Sequence, residues 1–307
     1  MAQPTDENSE KKADAATLLS KEEIRKLRAV FRQLPLSDGF MFGEVMRVAS
    51  ICTRFLELLL GVSVDHVEYL SKEKDISDSF TGHGIRIDVY LRDEQGTVYS
   101  IEMDTSGAAK AYRLRIRYYQ GTIDRNNLER GKDYVKLPNT FLIIISTEDF
   151  FGKGLAIYKR KMVLEGYQDA ENDVNVEDIP YEDGTQLYIL NADYTIANAP
   201  KEILCFLDCI RLNDTNPGHY DSPWMKNICA RIEEVRANPA EEAYYMGLTV
   251  MMMDERRKGR EEGAIINTVD IYRNEMDMDD QTIVNRLMEK FKLSYHDAAA
   301  YVNQRSA

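Results

Sequence analysis

The sequence predicts an α/β fold, a central sheet flanked by helices and followed by a mainly helical C-terminal region. Three observations carry that prediction. Residues 85–91 and 97–103 read Ile-Arg-Ile-Asp-Val-Tyr-Leu and Thr-Val-Tyr-Ser-Ile-Glu-Met, two period-2 stretches rich in β-branched and aromatic residues, with Arg-Asp-Glu-Gln-Gly as a turn between them. Thr140-Phe-Leu-Ile-Ile-Ile-Ser146 is short and apolar through its middle, the composition of a strand covered on both faces. From Pro200 onward apolar residues recur at helical spacing.

The elements follow in order along the chain. Residues 1–20 are polar and charge-rich and are expected to be a disordered tail. Lys21–Gln33 is predicted as a helix, with Ser20 and Glu23 forming a capping box and Pro35 ending it. Ser37 or Asp38 caps the next helix, whose apolar residues run from Phe42 and Val45 through Phe55 and Leu59 to Gly61, a favourable terminator. A strand is expected at Val67–Leu70, then the hairpin, a helix over 108–129, the strand Thr140–Ser146 and another at Gln186–Leu190. The predicted later helices are Ile203–Leu212, Pro223–Arg236, Pro239–Glu262, Ile265–Asn274, Asp279–Phe291 and Ser294–Gln304. This divides the chain into a tail (1–20), an α/β domain (21–195) and a helical region (196–307).

The hairpin carries the chemistry. Acidic residues are disfavoured within strands, yet Asp88 stands between Ile87 and Val89, and Glu102 between Ile101 and Met103. Alternate side chains share a face, so Glu102 and Asp104 point the same way, and antiparallel pairing brings Asp88 beside them. Three converging carboxylates suit Mg²⁺ or Mn²⁺, hard ions that prefer oxygen ligands and keep waters for a phosphate to replace. The competing reading puts the same acids on the solvent side of an amphipathic hairpin.

Composition limits the alternatives. The 307 residues carry a formal net charge of −13, which weighs against nucleic-acid binding by the chain as a whole. Between Lys110 and Lys136, however, basic residues outnumber acidic ones, and Lys110, Arg113 and Arg117 have the spacing of one helical stripe along which a phosphate backbone would pass. The four cysteines lie in apolar helical patterns and read as buried thiols; the four histidines are scattered, with no ligand pair. No phosphate loop or dinucleotide fingerprint is present, so a nucleotide cofactor is not expected. No apolar run approaches the ~18 residues of a membrane span, and the N-terminus lacks the apolar core of a secretory signal, so a cytoplasmic protein is expected.

Several motifs together resemble one family. Leu34-Pro-Leu-Ser-Asp-Gly-Phe-Met-Phe42, Gly84-Ile-Arg-Ile-Asp-Val-Tyr90, Tyr99-Ser-Ile-Glu-Met103, Arg117-Tyr-Tyr-Gln120 and Phe151-Gly-Lys-Gly154 are similar, in the same order, to the Rpn recombination-promoting nucleases of the PD-(D/E)XK superfamily. The resemblance implies a restriction-endonuclease-like core of order αβββαβ and a metal-dependent DNA endonuclease linked to recombination or mobile elements. It implies that Asp88, Glu102 and the Met103 carbonyl bind Mg²⁺ or Mn²⁺, with Glu44 and Gln120 as supporting residues. Double-stranded DNA would be the partner. Apart from the resemblance, the mixed charge of the last two helices offers no basic recognition surface, so partner contact or homo-oligomer assembly is expected of the helical C-terminal region. The third motif position, normally Lys in the superfamily and commonly Gln in this branch, is Asp104. Either Asp104 holds a second ion or positions water, or cleavage has been lost and the chain is a DNA- or partner-binding module.

Overall fold

The computed structural model describes residues 19–71, 74–76, 85–107, 109–164 and 179–304. Almost all of the expected tail lies outside them, as do His83 and Gly84. The chain divides into two compact units: Val30–Pro239, and a second that joins the described residues up to Ala29 to those from Ala240 onward.

Helix α1 (Lys21–Phe31) begins with the predicted capping box: Ser20 N–H donates to Glu23 Oε2 at 2.8 Å and Glu23 N–H to Ser20 Oγ at 3.3 Å. Asp38 caps α2 (Gly39–Met46), accepting from the N–H groups of Phe40 and Met41. The single helix expected up to Gly61 is two, because the chain breaks at Arg47 and restarts as α3 (Ala49–Leu60). Tertiary partners account for the break. The Tyr69 hydroxyl donates to the Met46 carbonyl at 2.7 Å and Arg231 Nε to the Glu44 carbonyl at 3.3 Å, so carbonyls freed at the end of α2 are satisfied outside the helix. Gly61 ends α3 in the left-handed conformation, φ 69°.

The main sheet has six strands. Strand β1 (Val67–Ser71) is antiparallel to β4 (Val89–Asp93), and β4 to β5 (Val98–Asp104). Helix α4 (Ala109–Asn127) then carries the chain across to β6 (Thr140–Ser146), parallel to β5. β10 (Thr185–Asn191) lies parallel on the far side of β6, with the edge strand β7 (Ile157–Lys159) antiparallel beyond it. Two short pairs stand apart: β2 (Lys74–Ile76) with β3 (Ile85–Ile87), and β8 (Val163–Leu164) with β9 (Ile179–Pro180). This is the predicted α/β architecture with a mixed central sheet. The predicted strand 85–91 is interrupted: the chain bends at Asp88, so β3 leaves the main sheet and β4 joins it.

One face of the sheet forms a core with α4. Val98, Leu142, Ile144, Leu187 and Ile189 pack against Tyr112, Ile116 and Ile123, each full burial stabilising by about 1.5–3 kcal/mol. Helices α5 (Lys201–Leu212) and α6 (Pro223–Ala237) belong to the same unit. Phe206 meets Phe55 at 5.5 Å between ring centroids, and Trp224 Nε1–H donates to the Ile51 carbonyl at 3.0 Å. The compact unit that holds the sheet therefore takes in the first two of the helices that follow it.

The second unit is helical: α7 (Pro239–Asn274), α8 (Asp280–Phe291) and α9 (Tyr295–Gln304) enclose Val269, Ile283, Leu287, Ala298 and Val302. Asp279 caps α8 through the Thr282 N–H at 3.0 Å. Two helices were expected on either side of Gly263, and α7 instead runs through it. An exposed helical glycine costs about 1 kcal/mol, which the neighbouring Arg and Glu residues, good helix formers, can absorb.

Candidate active site

Strand β5 positions the acidic residues. Val98, Ser100, Glu102 and Asp104 alternate onto the face that α4 covers, where the core cluster places Val98. Glu102 is 5% exposed and Asp104 3%, so the solvent-facing reading of the hairpin does not hold. Across the parallel strands Asp104 is level with Ser146, and Ser146 with Asn191. The acids thus stand at the carboxyl end of the parallel strands, where open α/β sheets place ligands.

Asp88 comes from the bend before β4. The β4–β5 register pairs Val89 with Ile101, which puts residue 88 opposite Glu102. The Asp88 carboxylate accepts the Met103 N–H at 2.8 Å, so side chain rather than backbone meets β5 here. Gly39, the first residue of α2, borders the Asp88 carboxylate: a Cβ on it would lie 3.5 Å from Asp88 Oδ1, an ordinary contact distance. Burial, and then the neighbouring Asp88 charge, hold the Glu102 carboxyl well above the usual carboxylate range, with Arg115 opposing.

Asp104 takes a different environment. Its Oδ1 accepts the Ser106 N–H at 2.7 Å, and its Oδ2 is ion-paired with Arg115 of α4. The Arg115 guanidinium lies over the Tyr112 ring at 5.1 Å and the Tyr119 ring at 5.5 Å. Tyr112 itself stacks on Phe150 at 4.1 Å. Burial, followed by the Glu102 charge, pushes the Tyr119 hydroxyl up to about 12. Arg115 and the two tyrosines were not singled out from the sequence as site residues. The signal was there: Tyr112, Ile116, Tyr119 and Ile123 recur at helical spacing and define the inner face of α4, and Arg115 borders it.

The remaining candidates have other partners. Glu44 is buried and ion-paired with Arg47 and Arg231. Gln120 donates to Thr140 Oγ1 at 2.8 Å and Asp124 at 2.9 Å; Thr140 pairs with Val98, at the opposite end of β5 from Glu102. Arg113 and Arg117 are exposed on α4, Arg113 over the Phe151 ring at 5.3 Å, and Lys110 lies in the first turn of the same helix. A hollow lined by Arg92, Gly96, Asn127 and Lys132 sits at the turn end of the hairpin, away from the carboxylates. Cys52, Cys209 and Cys229 are buried free thiols, and Cys205 is partly buried.

Three buried polar atoms in this region, Glu102 Oε1, Ser100 Oγ and Tyr112 Oη, have no hydrogen-bond partner among the described residues. Buried polar atoms are nearly always partnered, so an orphaned carboxylate oxygen beside a second carboxylate fits a bound cation. The donor set is hard oxygen, which suits Mg²⁺ or Mn²⁺. Among the described residues no group of three or more His, Cys, Asp or Glu is arranged to hold a metal ion. The fit therefore rests on the pair Asp88 and Glu102, Asp104 being engaged by Arg115.

Comparison with known proteins finds one family. Residues 40–170 match the model of a family described as PD-(D/E)XK nuclease family transposase. That span runs from Phe40 in α2 through β8, includes all three acids and Arg115, and does not single out the Rpn branch. No curated protein and no solved structure matches the chain. No helix among the described residues is long and apolar enough to cross a membrane.

Proposed function

We propose that this protein is a Mg²⁺- or Mn²⁺-dependent endonuclease that hydrolyses phosphodiester bonds in double-stranded DNA. The observation that carries the reading is the meeting of Asp88 and Glu102 at the end of β5, with one Glu102 oxygen buried and unpartnered. The family match over residues 40–170 supports it.

Asp88, Glu102 and the Met103 carbonyl would hold the ion. When bound, such an ion supplies Lewis acidity at the phosphate and lowers the pKa of a bound water. The chain's own residues set the conditions for this. Buried under α4, Glu102 keeps its proton more readily than an exposed glutamate and gives it up to a cation. The Met103 N–H donates to the Asp88 carboxylate and orients it. Lys110, Arg113 and Arg117 would follow the DNA backbone outside the site. The family description as transposase connects cleavage with recombination or mobile elements. Assembly through the helical C-terminal region and a cytoplasmic location complete the reading.

A second reading has one observation in its favour. Among the described residues the acids do not form a three-membered metal group, which suits a nuclease fold retained as a DNA- or partner-binding module.

Incubation with supercoiled plasmid in Mg²⁺, Mn²⁺, Ca²⁺ or EDTA separates the two. Nicking in Mg²⁺ or Mn²⁺ that disappears in Asp88→Ala supports the nuclease. Plasmid left intact by folded wild-type protein in every metal supports the binding module.

A further inference from the structure

We infer that Arg115 is the phosphate-contacting cation of this site and that Asp104 is its mooring, a positioning residue in place of a metal ligand. The inference rests on the proposed nuclease reading and names the group that would meet the substrate.

Asp104 and Arg115 differ in exposure in a way that assigns their roles. The Asp104 side chain is 1% exposed and Arg115 39% exposed. A cation needed only to neutralise a buried carboxylate would be buried with it. Here the carboxylate is at the bottom and the guanidinium rises from it to the surface beside Glu102. Its faces lie over Tyr112 and Tyr119, and one terminal nitrogen is committed to Asp104. An arginine held in this way has already lost most of its rotamer freedom, so less entropy remains to be lost when a phosphate binds. The planar fork still presents N–H groups beyond the one that Asp104 takes, the arrangement that grips phosphate oxygens in parallel.

Electrostatics gives the site a need for such a group. Asp88, Glu102 and Asp104 are three acids within one buried region, and a phosphodiester brings further negative charge. Arg115 is the cation whose field reaches Glu102, Tyr112 and Tyr119 alike. An acid at position 104 is therefore compatible with phosphate chemistry, since the positive charge comes from the helix above.

The test compares wild type, Arg115→Gln, Arg115→Lys and Asp104→Gln by two readouts. One is plasmid nicking in Mg²⁺. The other is affinity for a short fluorescent duplex in Ca²⁺ across a NaCl series, read as the slope of log affinity against log salt. Arg115→Gln is expected to lose about 100-fold in nicking rate and about 0.9 in salt slope, one phosphate contact. Arg115→Lys keeps the slope and loses part of the rate, which guards against a simple folding defect in Arg115→Gln. Asp104→Gln keeps the slope and nicks more slowly, because Arg115 is no longer moored. A wild-type slope in folded Arg115→Gln, or faster nicking by Asp104→Gln, overturns the inference. Duplex binding without nicking by wild type overturns the nuclease reading, and the slope of Arg115→Gln then still decides for or against the phosphate contact. Absence of duplex binding by wild type overturns both.

Discussion

Asp104 on β5 and Arg115 on α4 form an ion pair between residues 11 apart in sequence, tying the end of the strand to the helix that covers it. The pair divides the acids of the site into two kinds. Asp88 and Glu102 face each other across the β4–β5 register, while Asp104 is turned to a guanidinium. The metal chemistry and the phosphate contact thus fall to different residues of one strand–helix unit.

Glu102 makes stability depend on pH in a definite direction. Its carboxyl is raised by burial first and by Asp88 second. A group raised in the folded state contributes stability that is fully present below its unfolded pKa and is lost as pH rises through the folded value. In EDTA, the denaturation midpoint of Glu102→Gln relative to wild type should rise as pH is raised above the ordinary carboxylate range. A difference that stays constant as pH rises would contradict the assignment.

Glu44 acts through the fold. Its side chain is 11% exposed, with Arg47 at 19% and Arg231 at 18%, and removing it leaves two largely buried guanidinium groups without their shared carboxylate. Glu44→Ala should lose about 3 kcal/mol or more in urea unfolding while the folded fraction still nicks plasmid. Wild-type stability with cleavage abolished would instead put Glu44 in the metal site.

Gln120 joins α4 to the start of β6 and stands away from the acids. Loss of its two hydrogen bonds in Gln120→Ala should cost about 1–2 kcal/mol and leave nicking within twofold of wild type, about 0.4 kcal/mol. A large fall in rate without loss of stability would return Gln120 to the site.

Exposed Arg113 and Arg117 should govern affinity without governing chemistry. Arg113→Gln with Arg117→Gln is expected to reduce the salt slope of duplex binding by up to about 1.8, at about 0.9 per phosphate contact. At saturating DNA the nicking rate should be retained. An unchanged slope would assign the stripe to solvent.

Much of this was legible in the sequence, where the causes are local. The capping box at Ser20, the Asp38 cap, the Gly61 terminator and the strand Thr140–Ser146 are each set by neighbouring residues, and each lies where the pattern put it. The break between α2 and α3 was not legible, since Tyr69 and Arg231, far along the chain, take the released carbonyls. The bend at Asp88 was hidden by an unbroken period-2 pattern that runs straight through it. At the site, the spacing of Asp88, Glu102 and Asp104 gave the shared face, but the partner of Asp104 depends on how α4 lies across the sheet. The spacing of Lys110, Arg113 and Arg117 marks one stripe of that helix, on which Arg113 and Arg117 are exposed, and the arginine that meets the acids borders the inner face.

The central claim is that Asp88 and Glu102 hold a divalent cation, and a Mn²⁺ titration followed by electron paramagnetic resonance tests it most directly. Wild type and Asp104→Asn should each bind Mn²⁺ saturably, and Asp88→Ala should not. Saturable binding that survives in Asp88→Ala, or its absence from folded wild-type protein, would contradict the account.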